Sequence, residues 1–387
     1  MKTKNIGLRN IEVADTKICN IDGANGRLIY RGYDILDLVK KSTFEETACM
    51  LLHDDLPTQS QLSNFNTRLV DTRELPDGIE KNLKNLPKTA NPMDVLQSRV
   101  SELAMYDNEK NDDKDVNYNR AINLISKIPI IIAYWDRIRN GKEIVKPSKK
   151  LSHAANFLYM LTGIEPEDVL SRIFDICLIL HAEHSFNAST FAAREVASTR
   201  AHMYAAVIAA IGALSGELHG GANFQVMKML LEIKTENRVE PWIKEHLSKG
   251  KKIMGMGHAV YKTCDPRAEV LRQLSKQLSE KTGDLWYKIT KKVEDVTAEE
   301  MKKVKGSDIF PNVDLYSASV YYMLKIPTDL NTPIFAISRV AGWTAHTIEE
   351  KFAEAQPKPM LYRPKAVYVG KYCGPSGCEY IPIEKRP

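Results

Sequence analysis

No stretch of this chain approaches eighteen uninterrupted apolar residues, so nothing in it reads as a membrane span. The opening residues, "MKTKNIGLRNIEVADTK", lack the apolar core of a secretory signal. They also lack the Arg- and Ser-rich, acid-poor character of an organelle presequence, so a cytoplasmic location is the expectation. Cysteine is sparse: six in 387 residues, at scattered positions, with no Cys-x-x-Cys that pairs with a second one. That excludes a zinc ribbon and reads as thiols rather than a disulfide framework. Cys373 and Cys378, which bracket "GPSG", could still close a small loop. A dominant charge is missing too. Lysine and arginine total 54 against 49 acids, a formal net charge of +5. This excess is too small and dispersed for a nucleic-acid surface but suits small anionic ligands. There is no Walker A loop, no dinucleotide-binding glycine fingerprint and no G-x-S-x-G elbow.

Extended signal is scarce as well. "TKICNI" and "RLIYRG", joined by "DGANG", read as a small N-terminal hairpin. The rest reads as helix, giving an all-α expectation. "STFEETACMLLHDDLP" opens with Ser42 and Glu45 at capping-box spacing. Asn91 and Pro92 suit the cap and first position of the helix that follows. "NRAINLISKIPIIIAYWDRIRNG" is long and apolar; Pro129 should kink it and Gly141 should end it. "EPEDVLSRIFDICLILHAEH" and "STRAHMYAAVIAAIGALSG" are apolar on most sides and read as buried helices. Asp265, Pro266 and Gly283 bound an amphipathic helix, and "NTPIFAISRVAGWTAHTIEEKFAEAQP" gives another. Beyond it, "KPMLYRPKAVYVGKYCGPSGCEYIPIEKRP" has too much Pro and Gly for helix and reads as an extended arm.

The residues that could carry chemistry each have a bland alternative. In "SGELHGGANFQ", His219 precedes Gly220 and Gly221, which implies either very close packing or a ligand. His258 follows two glycines in "GMGHAVYKTCDPR", and Arg267 falls in the first turn of the next helix, where N–H groups and dipole favour an anion. A capped helix with a surface arginine would explain that stretch equally well. His181 and His184 are three apart, but H-E-x-x-H is absent. A satisfied core histidine at a helix end is the simpler reading. Asp314, after "FPN", could be an N-cap.

Together these segments form an ordered series: "IDGANGRLIYRGYDI", "HAEHSFNAST", "LHGGAN", "GMGHAVYKTCDPRA", "FPNVDLYS", "ISRVAGWTAH" and "LYRPKAVYVG". In this series the chain resembles the citrate synthases, including the 2-methylcitrate synthases, over nearly its whole length. The resemblance implies a two-domain, almost all-helical homodimer: a large domain of residues 1–218 and 329–387, and a small domain of residues 219–328 that closes over the active site. It implies condensation of acetyl-CoA with oxaloacetate and hydrolysis of citryl-CoA, or the same reaction on propionyl-CoA, with no metal or prosthetic group. Residue by residue, it places catalysis on His219, His258 and Asp314, and oxaloacetate binding on His184, Arg267, Arg339 and Arg363, the last from the partner subunit. CoA would meet Lys262 and the backbone of Met254, Gly255, Met256 and Gly257. The chain departs from the family pattern at Glu217, where proline is usual, at Ala259, where many prokaryotic members have arginine, and at Ala318, where glycine is usual. Glu217 could alter the titration of His219, and Ala318 could tighten the pocket. A catalytically silent scaffold would have no reason to keep these histidines, arginines and the aspartate at matching positions.

Overall fold

The structure is a computed structural model that describes residues 6–8, 11–371 and 373–386. Strands β1 (Cys19–Asp22), β2 (Arg27–Tyr30) and β3 (Tyr33–Asp34) form a small antiparallel sheet in the order β1-β2-β3. The expected hairpin is its first two strands, with Cys19 opposite Tyr30 and Asp22 opposite Arg27. Sixteen α-helices follow among the described residues. The first eight are α1 (Ile35–Lys41), α2 (Phe44–His53), α3 (Gln59–Asp71), α4 (Asp77–Lys84), α5 (Pro92–Leu103), α6 (Lys114–Arg139), α7 (His153–Thr162) and α8 (Asp168–His181). The second eight are α9 (Ala188–Ser198), α10 (Met203–Leu214), α11 (Gly221–Ile233), α12 (Val239–Ser248), α13 (Pro266–Thr282), α14 (Trp286–Lys305), α15 (Val313–Met323) and α16 (Asn331–Lys351).

Capping explains where many of them start. Asn91, Ser152, Asn187 and Asp265 each accept a hydrogen bond from a first-turn N–H, satisfying a donor that the helix itself leaves free. The expected box at Ser42 and Glu45 is displaced by one residue. Thr43 accepts from Glu46 N, while Ser42 ends α1. Glu45 is instead buried and accepts from the backbone of His153. The sequence Thr-Phe-Glu-Glu offers the same spacing one position later, and burial decides between the two. Pro129 lies within α6, which runs unbroken from Lys114 to Arg139.

Helix α16 is the axis of the fold. It is buried almost throughout from Asn331 to Glu350 and packs against α2, α6, α8, α9 and α10. Its far end holds a fully buried ionic cluster, in which the Arg194 guanidinium of α9 meets Glu349 at 2.5 Å and Glu350 at 2.7 Å. Helices α11, α13 and α14 pack around α15, and α12 packs on α14. The tail beyond α16 is extended and largely exposed, tied where Tyr362 donates through N to Ser198 Oγ and through its hydroxyl to Glu350. Cys373 and Cys378 are disulfide-bonded, closing the small loop that the sequence left open. Gly374 and Gly377 both take positive φ, so the short loop turns back on itself and brings the two Cα atoms to 4.8 Å. The other four cysteines are free.

Removing one partner of a buried ion pair leaves uncompensated charge. Arg194→Leu, which strands Glu349 and Glu350, is expected to lower stability by about 3–5 kcal/mol in urea unfolding. A loss under about 1 kcal/mol, the size typical of exposed pairs, would contradict the cluster's structural role.

Candidate active site

Four separate segments converge on one cavity of about 970 Å³. The turn between α8 and α9 carries His184, and Asn187 in the same turn caps α9. The loop between α10 and α11 carries His219. The close-packing alternative for its glycines holds at Gly220: a Cβ there would fall 2.1 Å from the Leu214 carbonyl oxygen and 2.8 Å from Thr332 Cγ2. The third segment, ahead of α13, carries His258 and is laced to the start of α15. Gly257 N donates to Phe310 O at 2.7 Å, Asn312 N to Gly255 O at 2.9 Å, and Asn312 Nδ2 to Gly257 O at 2.8 Å. This lacing sets the His258 loop beside Asp314. The Asp314 N–H is itself capped by Asn312, so the N-cap role open to Asp314 belongs to Asn312 instead. The fourth segment is α16, which supplies Arg339.

Hydrogen bonds assign the imidazole protons. His258 Nδ1 accepts from the backbone N–H of Val260 at 2.9 Å and of Tyr261 at 3.1 Å, so the ring proton sits on Nε2. His219 Nε2 lies 3.2 Å from Ser189 N, which can only donate, so its ring proton sits on Nδ1. The Ser189 hydroxyl, 2.8 Å from the same nitrogen, also receives the Trp343 indole N–H at 3.1 Å. His184 Nε2 meets the Tyr261 hydroxyl at 3.2 Å, and its ring stands 5.5 Å from that of His258.

Burial governs the electrostatics. It lowers the pKa of His219 to about 4, with Arg339 adding to the effect. It does the same at His258, where Arg267 adds, and it holds His184 well below the ordinary histidine value, with Arg267 and then Arg339 contributing. Burial pushes Asp314 the other way, from 3.8 to about 6; Asp265 adds to the rise, and Arg267 and Arg339 oppose it. Glu217 is exposed and contributes nothing to the His219 shift. Arg267 is neither a surface residue nor beside free N–H groups. It is buried, Asp265 Oδ1 takes its backbone N–H, and the Asp265 carboxylate takes its guanidinium at 3.0 and 2.8 Å. Arg339 Nε donates to His181 O at 2.6 Å, and its two Nη groups have no hydrogen bond among the described residues. The cavity thus combines neutral donors, a carboxylate that ionises near neutrality and buried cations. That set can abstract a weakly acidic C–H, stabilise a developing enolate and hold an anion.

His181 has no place among ligands: its Nδ1 lies 2.7 Å from Cys177 O and its ring packs edge-on against Phe335. Among the described residues no group of three His, Cys, Asp or Glu side chains is placed to hold a metal ion. No helix of the described residues is long and apolar enough to cross a membrane.

The family model described as "Citrate synthase, C-terminal domain" matches residues 7–365. The chain belongs to the citrate synthase family. A citrate synthase of Haloferax volcanii is 42% identical over 98% of each chain. A 2-methylcitrate synthase of Shewanella oneidensis is 37% identical over 100% of this chain and 99% of its own. The structure of the Thermoplasma acidophilum citrate synthase in a ternary complex with carboxymethyl coenzyme A and oxaloacetate aligns with a TM-score of 0.90 at 32% identity, covering 99% and 100% of the two chains.

Six residues matched to the family pattern, His184, His219, His258, Arg267, Asp314 and Arg339, line the one cavity. Met254 to Gly257 line a second cavity of about 580 Å³, which shares His258 and Ala259 with the first. Two matched residues lie elsewhere. Lys262 is exposed and lines neither cavity; its backbone N–H is spent on Gly23 O in the β1–β2 turn. Arg363 is on the exposed tail, away from the cavity of its own chain. Ala318 is fully buried in α15 and lines neither cavity, so it does not tighten the pocket. Sequence reasoning missed Lys251 and Lys252, which line the second cavity and were legible as a basic pair just ahead of the glycine loop. It also missed Ser189, whose helix α9 went unread.

The raised Asp314 pKa has a stability signature. Its folded value lies above its unfolded one, so its contribution is complete below pH 4 and is lost as pH rises through 6. Two units correspond to about 3 kcal/mol. Asp314→Asn should therefore gain about that much on wild type between acid and neutral pH in paired urea titrations. A difference that does not vary with pH would contradict a desolvated carboxylate.

Proposed function

We propose that the protein condenses acetyl-CoA with oxaloacetate and hydrolyses the resulting citryl-CoA to citrate and CoA. The observation that carries this reading is the meeting of Asp314, ionising at about 6, with two histidines of opposite tautomer in one cavity that also holds Arg267 and Arg339. An acetyl thioester methyl is a very weak acid, so a carboxylate cannot deprotonate it unaided. Asp314 takes the methyl proton while His219 Nδ1–H donates to the thioester oxygen as enolate charge forms. His258 Nε2–H donates to the oxaloacetate ketone, which makes its carbon electrophilic and neutralises the alkoxide as the carbon–carbon bond forms. Water then releases CoA. Both histidines act as neutral donors because burial keeps them unprotonated at neutral pH.

The unit of residues 219–328 acts as a small domain that closes over the cavity. Support comes from the mutual packing of α11 to α15 and from the placement of His258 and Asp314 on that unit opposite Arg339. Closure excludes water from the enolate. Oxaloacetate carries two negative charges, but Asp265 already neutralises Arg267, so the cavity falls short of cations. Arg363 of a partner subunit makes up that shortfall in a homodimer. The protein works in the cytoplasm, without metal or prosthetic group.

Thiol release from acetyl-CoA and from propionyl-CoA, each with and without oxaloacetate, tests the reading. Oxaloacetate-dependent release, faster with acetyl-CoA and indifferent to a chelator, is the expected result. Faster release with propionyl-CoA would reassign the substrate, since one extra methylene is worth only about 1–3 kcal/mol. Asp314→Asn should slow turnover about 10²–10⁴-fold, and near wild-type turnover would remove Asp314 from the chemistry.

Subunit mixing tests the arm. An Arg363→Ala chain and an Asp314→Asn chain, each nearly inactive alone, are combined in equal amounts. Random mixing puts half the dimers in the mixed state with one intact site each, so activity should recover to about a quarter of wild type. No recovery would place Arg363 within its own chain's site.

A further inference from the structure

The reaction as described leaves one buried charge without a task. Glu183 immediately precedes His184, is completely buried, and its Oε2 has no hydrogen-bond partner among the described residues. A buried carboxylate half unsatisfied is costly, so its surroundings must hold it for a reason. Its other oxygen accepts from His346 Nε2 at 3.1 Å. His346 Nδ1 faces Arg194 Nη1 at 3.0 Å. A guanidinium only donates, so Nδ1 accepts and the His346 ring proton is on Nε2, aimed at Glu183.

The spacing along α16 makes this an organised arrangement. Arg339, Gly342, His346 and Glu349 recur at three- and four-residue intervals and so share one face. Arg339 reaches the cavity, and His346 reaches Glu183. Between them, a Cβ at position 342 would fall 2.1 Å from Glu183 Oε2 and 2.5 Å from Ala182 O. Only glycine leaves room for the carboxylate there. The turn that Glu183 belongs to is held from the other side by the Tyr30 hydroxyl, which donates to Glu183 O at 2.8 Å, and it contains Ser185 at φ 50. That non-glycine residue in left-handed conformation implies a turn fixed by its surroundings. The Glu183 carboxylate also opposes the lowering of the Arg339 pKa by burial, so the two charges sense each other.

We propose that Glu183 is a positioning residue for the oxaloacetate half of the site: admitted by Gly342 and oriented by His346, it fixes the His184 turn and sets a carboxylate behind Arg339. The inference deepens the reading of the cavity as an oxaloacetate site and rests on it. Glu183 touches no substrate. It acts through His184 and Arg339, so its loss should weaken oxaloacetate binding selectively.

The test compares wild type with Glu183→Gln, His346→Leu and His346→Gln. It reads KM for oxaloacetate, KM for acetyl-CoA at saturating oxaloacetate, and the thermal midpoint. Glu183→Gln and His346→Leu are expected to raise the oxaloacetate KM by roughly tenfold or more, the scale of one lost charged hydrogen bond. The acetyl-CoA KM should stay within about twofold. His346→Gln, which supplies another N–H donor, should restore the oxaloacetate KM. An unchanged oxaloacetate KM in His346→Leu, identical behaviour of the Leu and Gln variants, or both KM values rising together with a fallen midpoint would each overturn the proposal. Should Glu183→Gln fail to fold, the His346 pair decides alone. Calorimetric oxaloacetate affinity is measured in parallel. Wild type that binds no oxaloacetate would overturn the inference along with the reading beneath it; wild type that binds, with variants that bind equally, would overturn the inference alone.

Discussion

Arg267 and Arg339 are buried at the floor of the cavity, and the surrounding groups are arranged by the need to hold two cations out of water. Each is held differently. Arg267 closes on the Asp265 carboxylate, which also caps α13, so one aspartate begins the helix and neutralises the arginine. Arg339 has a backbone carbonyl and the nearby Glu183 carboxylate, and its two Nη groups have no hydrogen bond among the described residues. The same pair of charges, added to burial, keeps the three cavity histidines unprotonated. At Asp314 burial outweighs the arginines, and the carboxylate stays partly protonated until near neutrality. Had the cations won, Asp314 would be too weak a base for the proton abstraction proposed for it.

Helix α16 joins the stability of the fold to this site. At one end it anchors the buried Arg194 cluster; in the middle Trp343 holds Ser189, which in turn holds His219. At Arg339 it reaches the cavity. A rigid, fully buried helix is a suitable mount for groups whose positions must not relax. The loops it steadies are short, and their tight approaches leave little freedom in the placement of the histidines.

Caps were legible because they are local. Asn91 before Pro92 and Asp265 before Pro266 each specify a helix start through a contact two residues away, and the structure places both there. Where two overlapping capping boxes competed, at Ser42 and Thr43, sequence alone could not choose, because the decision belongs to the burial of Glu45. Helix α9 was hidden by its own cap: Asn187 lies inside the histidine-bearing motif and reads as part of it. His219, His258 and Asp314 are legible only as a set, since each alone has an ordinary structural role. Lys262 lines neither cavity, whereas Lys251 and Lys252, a basic pair just ahead of the glycine loop, line the second one. The partnership of Glu183 with His346, 163 residues apart, has no local signature.

The proposed chemistry requires His219 and His258 to be neutral donors of opposite tautomer. Nitrogen NMR of the histidine-labelled protein at neutral pH tests it most directly, with His219→Gln and His258→Gln chains to assign the signals. The expected result is a protonated Nδ1 at His219, a protonated Nε2 at His258, and no imidazolium at either until the pH nears about 4. An imidazolium at neutral pH, or the same tautomer at both positions, would contradict it.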